Sequence, residues 1–154
     1  TMLLHCDLVY IAETAKLTTP FIDLGLVPEN ASSMTIVDRL GHARAFAMLG
    51  LGEPLFGKDA ATFGLANAAL PVADVEPKAR AAAHVLAKKP AEALRLTKGL
   101  MRDREALLAR LRHEGEIFAE RLKSPEAAAA GRRRARRAAA PPRQTRPDRA
   151  PCAG

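Results

Sequence analysis

Residues 20–33, Pro-Phe-Ile-Asp-Leu-Gly-Leu-Val-Pro-Glu-Asn-Ala-Ser-Ser, constrain the fold more than any other stretch of the 154. The segment is apolar enough to be buried. Pro20, Gly25 and Pro28 nevertheless forbid both a continuous helix and a central strand across it. The chain must therefore enter a core, turn and leave as an ordered loop. Ser32 or Ser33 suits the N-cap of a following helix, because its hydroxyl can accept from the free first-turn amides. Glu29 is then a lone carboxylate among apolar neighbours where loop meets helix, which is the setting proton-transfer chemistry requires.

The flanking sequence gives the architecture. Residues 1–5 read as the end of a helix, and the start at Thr1, inside an apolar run, reads as the back half of a larger protein. Leu8 to Ala12 is a β-prone run and Lys16 to Thr19 a second, shorter one. Helices are predicted from Ser32 or Ser33 to Leu40, from His42 to Leu51 and from Lys58 to Phe63, closed by Gly41, Gly50 with Gly52, and Gly64. Leu65 to Leu70 is extended and stops at Pro71. From Val75 the chain is helical, with segments over Ala79–Lys88, from Pro90 at the first helical position, where its missing N–H costs nothing, and over Arg104–Leu122. In the last, Leu107, Leu108, Leu111, Gly115, Phe118 and Leu122 recur at spacings of three and four, with Glu105, Arg112, Glu116 and Glu120 opposite. The expectation is a partial α/β fold, with few short strands followed by a mainly helical C-terminal region. Three regions follow: an incomplete core over 1–75, helices over 76–126, and an Ala/Arg/Pro tail over 127–154.

The net charge of +7 belongs to that tail. Residues 131–154 hold eight arginines against the single acid Asp148, which leaves 16 basic and 16 acidic residues in 1–130. Twenty-four of the 28 positions from 127 are Ala, Gly, Arg or Pro. Such a segment buries too little apolar surface to offset its ordering entropy, and two origins stay open: a disordered low-complexity tail, or out-of-frame translation of GC-rich DNA. Its arginine run 132–137 lacks interleaved aromatics, so specific nucleic-acid binding is not expected. Cys6 reads as a buried free thiol and Cys152 lies in the tail. No pair of cysteines suggests a disulfide framework, so a reducing, cytoplasmic setting is expected. No Cys/His spacing suggests zinc. No run reaches the roughly 18 apolar residues needed to span a bilayer, so no membrane partner is expected.

Several short motifs, in register, carry a resemblance. They are Thr1 to Tyr10, Pro20 to Ser33, Gly41-His42-Ala43, Leu51-Gly52-Glu53-Pro54, Ala60 to Asn67, Pro71 and Leu96-Thr97-Lys98. In this order and spacing they resemble the enoyl-CoA hydratase/isomerase (crotonase) superfamily, over about residues 1–126, as the C-terminal half of a ClpP/crotonase-like fold. The resemblance implies an acyl-CoA thioester substrate, a thioester enolate held by two backbone N–H groups, and a carboxylate that moves the proton. It implies no separate cofactor, since coenzyme A arrives as part of the substrate. It also implies a homotrimer or hexamer for the intact protein. Both N–H donors fall, by the resemblance, before Thr1, so this chain alone is expected to be nearly inactive.

The acid positions discriminate within the superfamily. The two hydratase glutamates fall by register on Thr1 and Phe21, neither of which can do carboxylate work on water. Glu29 matches the glutamate of the Δ3,Δ2-enoyl-CoA isomerase type. The resemblance then makes Glu29 the catalytic acid/base and Pro20, Phe21, Leu24, Gly25 and Leu26 substrate-binding, with Phe21 keeping water from the acid and raising its pKa. It places Lys98 in a region where some members hold the coenzyme A phosphates. The alternatives are a hydratase-like enzyme, a catalytically silent acyl-CoA binder and, more remotely, a non-enzymatic interaction protein with a basic tail.

Overall fold

The computed structural model describes residues 1–139. Four short strands form two separate pairs. β1 (Tyr10–Ala12) runs parallel to β4 (Ala68–Leu70), with Tyr10 opposite Ala68 and Ala12 opposite Leu70. β2 (Lys16–Leu17) runs antiparallel to β3 (Leu55–Phe56). A parallel pair needs a long crossover, and here it contains the Pro20–Ser33 loop and the helices α1 (Ser32–Leu40), α2 (His42–Gly50) and α3 (Gly57–Thr62). Asn67 extends the pairing by one residue, donating its amide to the Val9 carbonyl and accepting the Val9 amide on Oδ1, both at 2.7 Å.

The apolar core lies between these elements. Leu4, Val9, Ile11, Ile36, Leu40, Met48, Leu55 and Leu65 form one buried cluster with small alanines. In α1 the buried positions Ser32, Ile36 and Leu40 recur every fourth residue, which is one stripe of a helix. Gly41, at φ 74° and ψ 161°, ends α1 and starts α2. Gly57 is needed for closeness: a Cβ there would stand 1.9 Å from the Ala12 carbonyl oxygen. Cys6 is half-buried and free, and Cys152 lies outside the described residues.

Four long helices follow: α4 (Val72–Ala87), α5 (Ala91–Met101), α6 (Arg104–Leu122) and α7 (Pro125–Ala139). α4 begins earlier than the sequence predicts and runs through Pro77. Pro90 occupies the cap of α5 and not its first turn. The opening residues form a 3-10 turn, Met2–His5. The largest departure is α7. The sequence reading assigns residues from 127 to a disordered tail, but they continue as helix to Ala139. Alanine and arginine are both strong helix formers, and the first proline after Pro125 is Pro141. Low complexity here leaves small apolar anchors, such as the buried Ala130, without removing helix propensity. The rest of the tail lies outside the described residues.

Candidate active site

The Pro20–Ser33 loop is fixed at both ends. At its start, the buried Thr19 hydroxyl donates to the Met48 carbonyl of α2 at 2.8 Å. Phe21 leads a 3-10 turn, Ile22–Leu24, closed by Gly25 in the left-handed region at φ 70°. The Leu26 amide returns to the Phe21 carbonyl at 2.9 Å. Pro20 and Leu24, both proposed for substrate binding, line one cavity of about 580 Å³ with Ile22, Asp23 and three α7 residues, Ala130, Arg133 and Arg134. Gly25 lines an adjoining cavity of about 400 Å³ that shares Ile22 and Arg133. Phe21 and Leu26 are half-buried and line neither.

Glu29 stands at the other end of the loop and lines neither cavity. It is half-buried, and its Oε1 accepts a long hydrogen bond of 3.4 Å from the Thr1 hydroxyl. Thus position 1, where a hydratase would carry one of its glutamates by register, meets Glu29.

The backbone directly after Glu29 is unusual. Asn30 and Ala31 both have positive φ, 61° and 55°. Asn tolerates this region; for Ala it costs about 1 kcal/mol or more. The surroundings hold it. The Ser32 amide donates to the Glu29 carbonyl at 3.1 Å, and the Asn30 carbonyl is 2.9 Å from His5 Nε2. A carbonyl can only accept, so this nitrogen carries the proton in that contact.

The predicted serine cap does not form. Ala31 is the N-cap of α1, no side chain of the helix itself caps it, and its first turn holds no acid. The cap arrives from 81 residues away. Glu114 of α6 accepts the Ser33 amide at 2.9 Å and the Ser33 hydroxyl at 2.5 Å on one oxygen. Glu114 is 5% exposed, and its other oxygen has no partner among the described residues; nor does the hydroxyl of Ser32, also buried. An unpaired buried acceptor costs roughly 1–3 kcal/mol. Helical spacing puts Glu114 near the apolar seam Leu107–Leu111–Phe118, which was the available signal, but charge argued for the outer face.

Two arginines, also not singled out from sequence, brace the floor beneath. Arg39 donates to the carbonyls of Leu4, Cys6 and Leu65 at 3.0–3.2 Å, and Arg102 to those of His5 and Cys6. Lys98 pairs with Asp7 at 2.6 Å. Among the described residues, no three His, Cys, Asp or Glu side chains could hold a metal ion together, and no helix is long and apolar enough to cross a membrane.

A parallel pair, a helical crossover and a capping helical arm define the chain as part of a crotonase-like fold. Comparison with known proteins bears this out. A structure of Pseudomonas aeruginosa OdaA superposes with a TM-score of 0.80 at 45% identity, covering 84% of this chain and 53% of that one. An enoyl-CoA hydratase/isomerase from Pseudoalteromonas atlantica T6c gives 0.85 at 31%, covering 88% and 56%. Enoyl-CoA delta isomerase 2 of Rattus norvegicus is 34% identical over 105 residues, 68% of this chain and 27% of that protein. A probable enoyl-CoA hydratase of Bacillus subtilis is 37% identical over 90 residues, 58% and 35%. Residues 1–134 match the enoyl-CoA hydratase/isomerase family, and the chain belongs to it. It spans little more than half the length of the solved relatives, and its matches span less than half of the curated ones.

Proposed function

We infer that the chain is the C-terminal half of an enoyl-CoA isomerase in which Glu29 is the acid/base. The observation that carries this reading is the Glu29 corner: one carboxylate, half-buried, on a backbone bent through two left-handed residues and facing a hydroxyl at position 1. In the reaction, Glu29 takes a proton from C2 of a 3-enoyl thioester. The electron pair spreads onto the thioester oxygen, the double bond moves from C3–C4 to C2–C3, and the proton returns at C4. No water is added and nothing is oxidised, so one acid suffices. Thr1 and Phe21 supply no second carboxylate, which disfavours hydration. Neutralising the enolate oxygen falls to backbone donors that the resemblance puts outside residues 1–154. Each is worth roughly 10²–10³ in rate, so the chain alone should turn over at trace levels.

The test joins the missing half from a family member to this chain and assays 3-enoyl-CoA conversion. Glu29→Gln should lower kcat by about 10²–10⁴, and an unchanged rate would remove Glu29 from the chemistry. Water addition to a 2-enoyl-CoA at comparable rates would favour the hydratase reading, and binding without turnover the silent binder. The acyl-CoA thioester, a trimeric or hexameric assembly of the intact protein and a cytoplasmic setting belong to the same proposal.

A further inference from the structure

We propose that Glu114 is a positioning residue for Glu29, acting as the cap of α1 and thereby setting the corner that presents the acid; the proposal rests on reading Glu29 as the acid/base. Three observations point the same way. First, α1 lacks a cap and a first-turn acid of its own, so its positive end is answered by the Glu114 carboxylate. Second, Glu114 is the one buried residue in the 19 of α6. Packing alone would favour an apolar side chain there, particularly as one carboxylate oxygen stays unpartnered. Third, the linkage to Glu29 is short. Glu114 holds the Ser33 amide and hydroxyl, the neighbouring Ser32 amide holds the Glu29 carbonyl, and Asn30 and Ala31 in between are the left-handed pair. The contact bridges the core and the C-terminal arm, so the state of the arm is felt at the acid.

The test uses the full chain and needs no turnover. Two signals are read by NMR: amide exchange at Ser33, and the 13Cα and 13Cβ shifts of Asn30 and Ala31, which report the left-handed backbone. In Glu114→Ala, Ser33 exchange should accelerate about tenfold or more, as for loss of a bond to a charged acceptor. The Asn30 and Ala31 shifts should move toward coil values while amides of the Ile36–Met48 core keep their protection. Glu114→Gln retains an acceptor and should restore both signals to within about threefold of native exchange. Glu116→Gln, on the exposed side of α6, should change neither. Should Glu114→Ala not fold, Ser33→Ala decides, since it removes only the hydroxyl bond; exchange and shifts should then move in the same direction by less. Unchanged corner shifts in whichever variant folds, or protection lost evenly across the core, would overturn the proposal. A latch that behaves as described beside an inert Glu29→Gln substitution would instead indict the assignment of Glu29.

Discussion

Residues 4–66 supply every member of the apolar cluster, whereas α4 and α5 bury no residue and α6 buries only Glu114. The core is therefore held by area removed from water. The arm is held mainly by polar ties: Lys98 to Asp7, Arg102 to the His5 and Cys6 carbonyls, Glu114 to Ser33, and Arg121 Nε to the Gly25 carbonyl, with Ala130 of α7 as its one buried apolar residue among the described residues. These forces scale differently. Burying one Ile side chain contributes roughly 1.5–3 kcal/mol, while an exposed ion pair such as Lys98–Asp7 contributes about 0–1. The arm should thus open at a lower free energy than the core unfolds. Four of its apolar side chains stay in solvent: Leu100 at 90% and Met101 at 78% exposure, with Leu96 and Val85 also exposed.

The largest expected effect lies in the core. Ile36 is 2% exposed at the centre of the cluster, so Ile36→Ala should cost about 2–5 kcal/mol in denaturant unfolding of the full chain. Leu100→Ala should leave the midpoint within about 0.5 kcal/mol. Equal losses would erase the contrast between the two regions.

Gly25 comes next, since it joins the loop to α7. Its φ of 70° strains any other residue, and a Cβ would sit 2.8 Å from the Ala127 amide nitrogen. Gly25→Ala should cost about 1–2 kcal/mol from backbone strain and push α7 away. Exchange would rise across residues 126–136 while α1 and α2 stay protected. A smaller loss, about 0.5–1 kcal/mol and local, is expected for Arg102→Ala, which deletes two bonds to carbonyls on a partly exposed side chain. Amides of α5 and α6 should exchange faster and those of the Ile36–Met48 segment should not. Uniform acceleration would mean that core and arm unfold together.

Much of the core was legible from sequence because punctuation and periodicity are local signals. Gly41, Gly64 and Pro71 placed the helix and strand ends within a residue or two, and the Leu8–Ala12 run shortened only to Tyr10–Ala12. The loop was legible as a punctuated turn up to Glu29, and the sequence said little about the backbone beyond it. Nothing local says that Ala31 adopts φ 55°, because that strain is sustained by His5 and Glu114 from elsewhere in the chain. Nor does a serine pair announce that a glutamate 81 residues away will take over its capping role. The α7 helix was missed for a different reason. Composition measures the apolar surface a segment can bury, and an Ala/Arg segment scores low there while keeping high helix propensity.

The smallest effect tests whether the arm carries any stability of its own. On α5, Arg95 holds Glu92 through Nε and Nη2 at 2.8 and 2.6 Å. This contact keeps the Glu92 carboxyl below its ordinary value of 4.5, against a slight opposing push from desolvation, and raises Arg95 in turn. A lowered carboxyl pKa stabilises the helix above the unfolded value, and the contribution fades as pH falls through that value to the folded one. Both groups are fully exposed, so salt should screen the effect. Helicity of a peptide covering Ala91–Met101 should decline slightly between pH 5 and about pH 3 at low ionic strength, and the decline should shrink in Arg95→Gln. If α5 loses helicity equally in both peptides, the pair contributes nothing and the arm depends wholly on its ties to the core.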